Sequence, residues 1–241
     1  VTTKLEIAVT SDATARLALE GGADRVELCS ALETDGITPS AALLDATVAT
    51  GAPTHVLIRI RPGDFVYDAD EVRVMAADAA LAIRAGAAGV VIGALRRDGA
   101  LDFETLETIA AAARGEDPRA EVTIHRAVDV GAHSVRNAAA LAASALAPTR
   151  ILTSGGGPVA GEALDILAEA VAVAGPVQIM AGGGVSPQTI PALIATGVAA
   201  VHLSAKKRAG DHWTIDPAIV AAARAAVDAN VLDAGGVSSR G

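Results

Sequence analysis

Eight short runs rich in Val, Ile and Leu recur along this chain, separated by Ala-rich segments of helical period. The runs span residues 5–10, 25–30, 55–61, 89–94, 122–129, 150–154, 177–182 and 200–204. Amphipathic segments such as 12–20, 71–85, 103–114, 162–174 and 188–195 lie between them. Strand–helix alternation of this kind predicts a parallel sheet, because parallel strands need a crossover connection. An open doubly wound sheet should carry a Gly-rich turn after its first strand, yet Thr10-Ser11-Asp12 stands there. Eight units in 241 residues match the size of a closed barrel. The expected fold is an α/β TIM-type (β/α)8 barrel. No linker or charge block interrupts the series, so residues 1–241 read as one domain.

Local signals agree with these boundaries. Thr38-Pro39, Ser186-Pro187 and Asp216-Pro217 each place a capping side chain before a proline suited to a first helical turn. Gly21, Gly51, Gly86, Gly175 and Gly197 follow helical runs, as C-terminal caps do.

Hydrophobic residues make up 51% of the chain but aromatics only 2%, so aliphatic side chains must fill the core. A net charge of −9 and the scarcity of stacking rings argue against nucleic acid as a partner. No apolar run is long enough to span a membrane. Lys4 and Glu6 fall where a signal peptide needs its apolar region. The single cysteine, Cys29, excludes an internal disulfide and fits a reducing compartment. The expectation is a cytoplasmic protein.

Side chains alternate faces along a strand, so parity sorts them into two sets. Val26, Leu28, Val56, Ile58, Ile60, Val122, Ile124, Val201 and Leu203 share one parity and should face the helices. The other parity holds Glu6, Thr10, Arg25, Glu27, Cys29, His55, Arg59, Arg61, Thr123, His125, Gln178, Met180, His202 and Ser204. Asp129 joins them if the fifth strand continues that far. A barrel interior is normally apolar, and buried unpaired charges cost several kcal/mol each. A polar set this large therefore predicts a site at the barrel mouth as well as internal ion pairs.

Two further features bear on chemistry. Gly182, Gly183 and Gly184 end the seventh strand and are expected to open a helix at Ser186-Pro187, leaving backbone N–H groups free for an anion. Ser204-Ala205-Lys206-Lys207-Arg208 follows the eighth strand, where barrels often hold phosphate. Among possible metal ligands, Cys29 and His125 lie on the inward parity, but no CxxC, HxxxH or Met-rich motif supports them.

Several segments then resemble one family in order along the chain. They include Leu5-Glu6-Ile7-Ala8-Val9-Thr10, Gly22-Ala23-Asp24-Arg25-Val26-Glu27-Leu28-Cys29 and Gly36-Ile37-Thr38-Pro39-Ser40. Gly63-Asp64-Phe65-Val66-Tyr67, His125-Arg126-Ala127-Val128-Asp129, Arg150-Ile151-Leu152-Thr153-Ser154-Gly155-Gly156 and Met180-Ala181-Gly182-Gly183-Gly184-Val185 continue the match. Together they resemble the CutC family. Asp35, Ile60, Pro62 and Val128 depart from its usual motifs.

The resemblance implies a TIM-type barrel, often a homodimer, with a role in copper homeostasis and copper as a possible bound ion. Carried over residue by residue, it points to Glu6, Glu27, Arg59, His125, Asp129, Ser154 and His202. Cys29 and His125 are the candidate copper ligands. Carboxylates beside arginine suit a small anionic molecule better than Cu(I). The alternative expectation is an isomerase or lyase acting on a phosphorylated or other anionic substrate. His125 or Glu27 would move protons, Arg59 would hold an anionic group, and the glycine turn would hold phosphate.

Overall fold

The computed structural model describes residues 2–131 and 133–235. Strands β1 (Lys4–Val9), β2 (Arg25–Leu28), β3 (Thr54–Leu57), β4 (Gly89–Ile92), β5 (Glu121–Ile124), β6 (Arg150–Thr153), β7 (Gln178–Gly182) and β8 (Ala200–Leu203) pair in parallel, in sequence order. β8 returns to β1 with Lys4 opposite Ala200 and Glu6 opposite His202, which closes the ring. The helices are α1 (Asp12–Glu20), α2 (Ala41–Val48), α3 (Ala69–Arg84), α4 (Phe103–Glu116), α5 (Ser134–Ala142), α6 (Leu164–Val173), α7 (Ile190–Ala195) and α8 (Pro217–Gly235). Among the described residues, no helix is long and apolar enough to cross a membrane.

The parity rule is visible in the packing. Val26, Val56, Ile58, Val122, Ile124 and Val201 are at most 1% exposed and join helix residues such as Ala15, Met75, Leu106 and Val220 in the main core. Each such burial contributes roughly 1.5–3 kcal/mol. The opposite parity builds separate, small clusters inside the barrel. Cys29 meets Leu57 and Val91, and Leu152 meets Met180 and Ala200. Long polar chains fill the remaining interior. They fit because other interior positions are small: a Cβ on Gly182 would come within 2.4 Å of Leu152 Cδ1.

The strands stop sooner than the sequence runs suggest. Cys29, Ser30, Arg59, Arg61, His125, Asp129 and Ser204 all lie beyond the last ladder residues. There the chain leaves the ladder for local partners: Ser30 bridges Ile37, and Thr38 N–H donates to the Arg59 carbonyl at 2.9 Å. Asp129 accordingly sits on a 3-10 turn, Arg126–Asp129, and not on a strand.

Two expected caps also move. Ser40 caps α2 by accepting from Leu43 N–H at 3.2 Å, while Thr38 Oγ1 accepts from Arg59 N–H at 2.9 Å. The glycine run opens no helix, because Ser186 and Thr189 hydrogen-bond to each other in a turn and α7 starts only at Ile190. Asp216 does cap α8, accepting from Ala218 N–H at 3.0 Å. Beyond β8, strands β9 (Lys206–Ala209) and β10 (His212–Ile215) form an antiparallel hairpin outside the eight runs read from the sequence.

Candidate functional site

The deepest polar groups form a stack across the barrel axis. Glu6, fully buried on β1, pairs with Arg25 Nε on β2. Arg25 Nη2 also donates to Met180 Sδ at 3.0 Å. The other Glu6 oxygen lies 2.8 Å from His202 Nδ1, and Glu27 Oε2 lies 3.3 Å from the same nitrogen. Below them, His55 Nε2 is 3.2 Å from Glu121, which Arg150 Nη2 also meets at 2.7 Å. Desolvating an ion costs several kcal/mol, and here each buried charge is offset by an opposite one.

Burial alone would raise the Glu6 carboxyl, but Arg25 and the imidazoles of His202 and His55 hold it well below its usual range. Burial, with Glu6 nearby, pushes Glu27 up against the pull of His202. Burial disfavours charge on His202, but Glu27 and Glu6 overcome it and raise its pKa. Glu27 and His202 are thus a carboxyl and an imidazole drawn toward each other, which is the arrangement for proton transfer.

Above this stack the mouth opens into a cavity of about 650 Å³ lined by Glu27, Arg59, Phe65, His125, His202 and Gly183, among others. Arg59 is 4% exposed, and its guanidinium donates to the carbonyls of Thr34, Gly36 and Gly63 at 2.9–3.0 Å. It stacks 5.0 Å from the Phe65 ring centroid. Among the described residues, no carboxylate lies within ion-pair distance of it, and its Nε has no partner. A buried positive charge thus lines the cavity with carbonyls and no carboxylate for partners.

His125 sits beside it, its ring 4.9 Å from Phe65. Its Nδ1 accepts from Ala127 N–H at 3.1 Å, so Nε2 carries the proton, and that buried N–H has no partner. Burial, with Arg59 adding to it, lowers the His125 pKa to about 3. The neutral ring therefore keeps one buried N–H donor without a partner among the described residues. Gly93 makes room for it, since a Cβ there would lie 2.2 Å from His125 Cε1.

Asp129, which also lines the mouth cavity, and Ser154 are brought together in a hydrogen-bonded clamp. The Asp129 carboxylate accepts from Thr153 Oγ1 at 2.5 Å, Ser154 N–H at 2.9 Å, Gly156 N–H at 3.2 Å and Ser134 Oγ at 2.9 Å. Ser154 Oγ accepts from Arg126 Nη2 at 3.1 Å and lies 2.5 Å from the Gly157 carbonyl. Both side chains are committed to holding the loop after β6. Gly182 is needed for packing against Leu152, whereas Gly183, Gly184 and Ser204 line the cavity. Parity singled out most of these groups but left Glu121 and Arg150 aside. Their shared parity with Thr123 and Leu152 was the available signal.

The same atoms include the candidate metal ligands of the barrel interior. Among the described residues, Glu6, Glu27 and His202 form the one group of three candidate ligands, their atoms within 4.8 Å of one another. The His202 Nδ1 proton lies between those carboxylates, and Arg25 already neutralises Glu6. Cys29 and His125 do not belong to that group. Burial, then Glu27 and Glu33, push the Cys29 thiol upward, away from the thiolate that a soft ion needs. Cu(I) finds no soft thiolate here, and Cu(II), which suits oxygen and imidazole ligands, would have to enter between His202 and the carboxylates beside Arg25.

The family is decided by sequence. The CutC family model matches residues 3–207. This chain belongs to the CutC family. A CutC family protein of Agrobacterium fabrum is 45% identical over 191 residues, which cover 79% of this chain and 74% of the relative. One from Sinorhizobium medicae is 41% identical over 229 residues, covering 93% and 91%. A crystal structure of a Streptococcus agalactiae protein named for copper homeostasis, CutC, shares the barrel. It superimposes with a TM-score of 0.75 at 27% identity, over 85% of this chain and 99% of that one.

Proposed function

We propose that this CutC-family barrel acts in copper homeostasis, the role for which its Streptococcus agalactiae relative is named, by binding a small anionic molecule at its mouth. The observation that carries the reading is the pairing of two unsatisfied donors in one cavity. Arg59 supplies a buried charge without a carboxylate, and His125 Nε2–H supplies a neutral donor. An anion there would gain charge-assisted hydrogen bonds in a partly desolvated setting. The cavity volume, about 650 Å³, falls within the range of small-molecule sites. In this reading the protein is cytoplasmic and homodimeric, the first supported by its lone reduced-type thiol and the second by its family.

A second reading makes the same pocket that of an isomerase or lyase. Glu27 and His202 favour it, because a raised carboxyl beside a raised imidazole can take and return a proton.

Calorimetric titration with butyrate and inorganic phosphate tests the first reading. At least one anion should bind, and Arg59→Gln should abolish binding. Absence of binding by both anions overturns the reading.

A further inference from the structure

We propose that the mouth is the inner half of a longer site, and that its ligand carries an acidic group at each end. The inference deepens the anion reading and rests on it.

A second cleft of about 470 Å³ opens beneath the β9–β10 hairpin, between it and the loops after β1 and β2. Ala8, Leu32, Ser204 and Lys206 line both this cleft and the mouth cavity, so the two spaces adjoin along a shared wall. Strand parity decides what the hairpin shows to the cleft. Lys206 and Arg208 share one face of β9, and Trp213 of β10 stands directly opposite Arg208 in the register. All three line the cleft. Lys207 has the opposite parity and lies 3.7 Å from Asp216 instead.

The cleft-facing cations are held by a ring and not by carboxylates. Lys206 Nζ lies 5.0 Å and Arg208 Cζ 5.4 Å from the Trp213 ring centroid. Among the described residues, neither makes an ion pair. Stacking on an aromatic face positions a cation while leaving its charge available. Glu33 and Asp211 also line the cleft, and the whole chain carries −9, so long-range attraction is not the source of recognition. Direct contact with two placed cations is.

The hairpin is fixed at its root. Asp216 N–H donates to the Ala205 carbonyl at 2.7 Å, and Ala205 adopts a left-handed φ of 44° that turns the chain sharply between β8 and β9. The two halves of the site are therefore at set positions: Arg59 and His125 within the mouth, Lys206 on the shared wall and Arg208 in the outer cleft. A ligand with one acid group satisfies one half. A linear molecule with a carboxylate at both ends satisfies both, and its apolar middle passes Ala8 and Leu32 on the shared wall.

The test uses the whole protein and a series of α,ω-dicarboxylates from malonate to suberate, with butyrate as the single-ended control. Affinity is measured by calorimetry, and the emission of Trp213, the one tryptophan in the chain, reports occupation of the outer half. One diacid length should bind at least ten-fold tighter than butyrate and shift the Trp213 emission. Arg208→Ala should narrow that ratio to below two-fold. Equal affinity for butyrate and every diacid overturns the two-part site while leaving the mouth reading intact. A diacid advantage that Arg208→Ala leaves unchanged overturns the hairpin's part in it. If neither butyrate nor any diacid binds, and phosphate also fails, the mouth reading falls as well.

Discussion

Nδ1 of His202 lies 2.8 Å from Oε1 of Glu6, joining residues 196 positions apart that stand side by side where the last barrel strand meets the first. The contact does two things at once. It helps close the ring, and it ties the mouth residue His202 to the buried Glu6–Arg25 pair beneath it. Glu6→Gln should therefore be costly. It would leave Arg25 buried without its carboxylate, a loss worth about 3–5 kcal/mol. Urea denaturation measures it, and a change below about 1 kcal/mol would mean that the pair is not what holds this layer.

The histidines set opposing pH limits. His202 and His55 are raised above their ordinary value of 6.5 by carboxylate partners that outweigh burial. Their contribution is complete below that value and is lost as pH rises through the folded pKa. His125 is depressed to about 3 by burial and Arg59, so its contribution is present above 6.5 and is lost as pH falls toward 3. Among these three groups, stability should peak near pH 6.5. His202→Gln should flatten the alkaline limb of a stability–pH curve, and His125→Gln the acidic one. Unchanged limbs in both variants count against the assignment.

Much of this arrangement is legible in the sequence, and the limits have physical reasons. Alternating Val26-Glu27-Leu28 and Val122-Thr123-Ile124 reveal a barrel with a polar lining, because period two survives wherever helices cover one face. The same rule fails past the ladder. Asp129 has interior parity by arithmetic, yet a 3-10 turn carries it into the loop clamp with Ser154. The glycine run suggested a helix start, but the Ser186–Thr189 turn delays α7. Lys206-Lys207-Arg208 follow the eighth strand as three adjacent cations, and their order in the chain does not say which of them share a face. Only the pairing of β9 with β10 shows that Lys206 and Arg208 share a face with Trp213.

Gly93 should be a sensitive position although it bears no side chain. An added Cβ would lie 2.2 Å from His125 Cε1, well inside contact distance. Gly93→Ala must displace the ring, and overpacking of this kind costs about 1–3 kcal/mol. Proton NMR of the His125 ring is the decisive measurement. In the parent protein it should not titrate above pH 5, whereas in Gly93→Ala its pKa should climb as the ring leaves its buried seat. A ring that stays untitrated in the variant would show that the backbone yields instead.

Asp129→Asn keeps the shape of the clamp but reverses part of its hydrogen bonding. One oxygen now accepts from Thr153 Oγ1, Ser134 Oγ and Gly156 N–H, and the other from Ser154 N–H and Arg126 Nε. An amide nitrogen placed at either position would face donors. The loss should be about 1–3 kcal/mol, with faster amide exchange confined to residues 153–157. Protection in that loop equal to the parent's would remove the case for Asp129 as a scaffold residue.

Copper itself offers the last test. Tight Cu(I) binding needs soft, deprotonated sulfur, and Cys29 is 2% exposed with a thiol pushed upward by burial and two glutamates. Cu(II) would suit oxygen and imidazole ligands, but at Glu6, Glu27 and His202 it would have to displace the Nδ1 proton and lie beside Arg25. Competition of the purified protein against a Cu(I) chelator, and calorimetry with Cu(II), should both show no stoichiometric tight binding. Cys29→Ala should change neither result. Tight Cu(I) uptake that vanishes in Cys29→Ala would place the metal at the mouth after all. Tight Cu(II) uptake that vanishes in Glu27→Gln, with proton release on binding, would instead show that the ion can displace the hydrogen now shared by Glu6, Glu27 and His202.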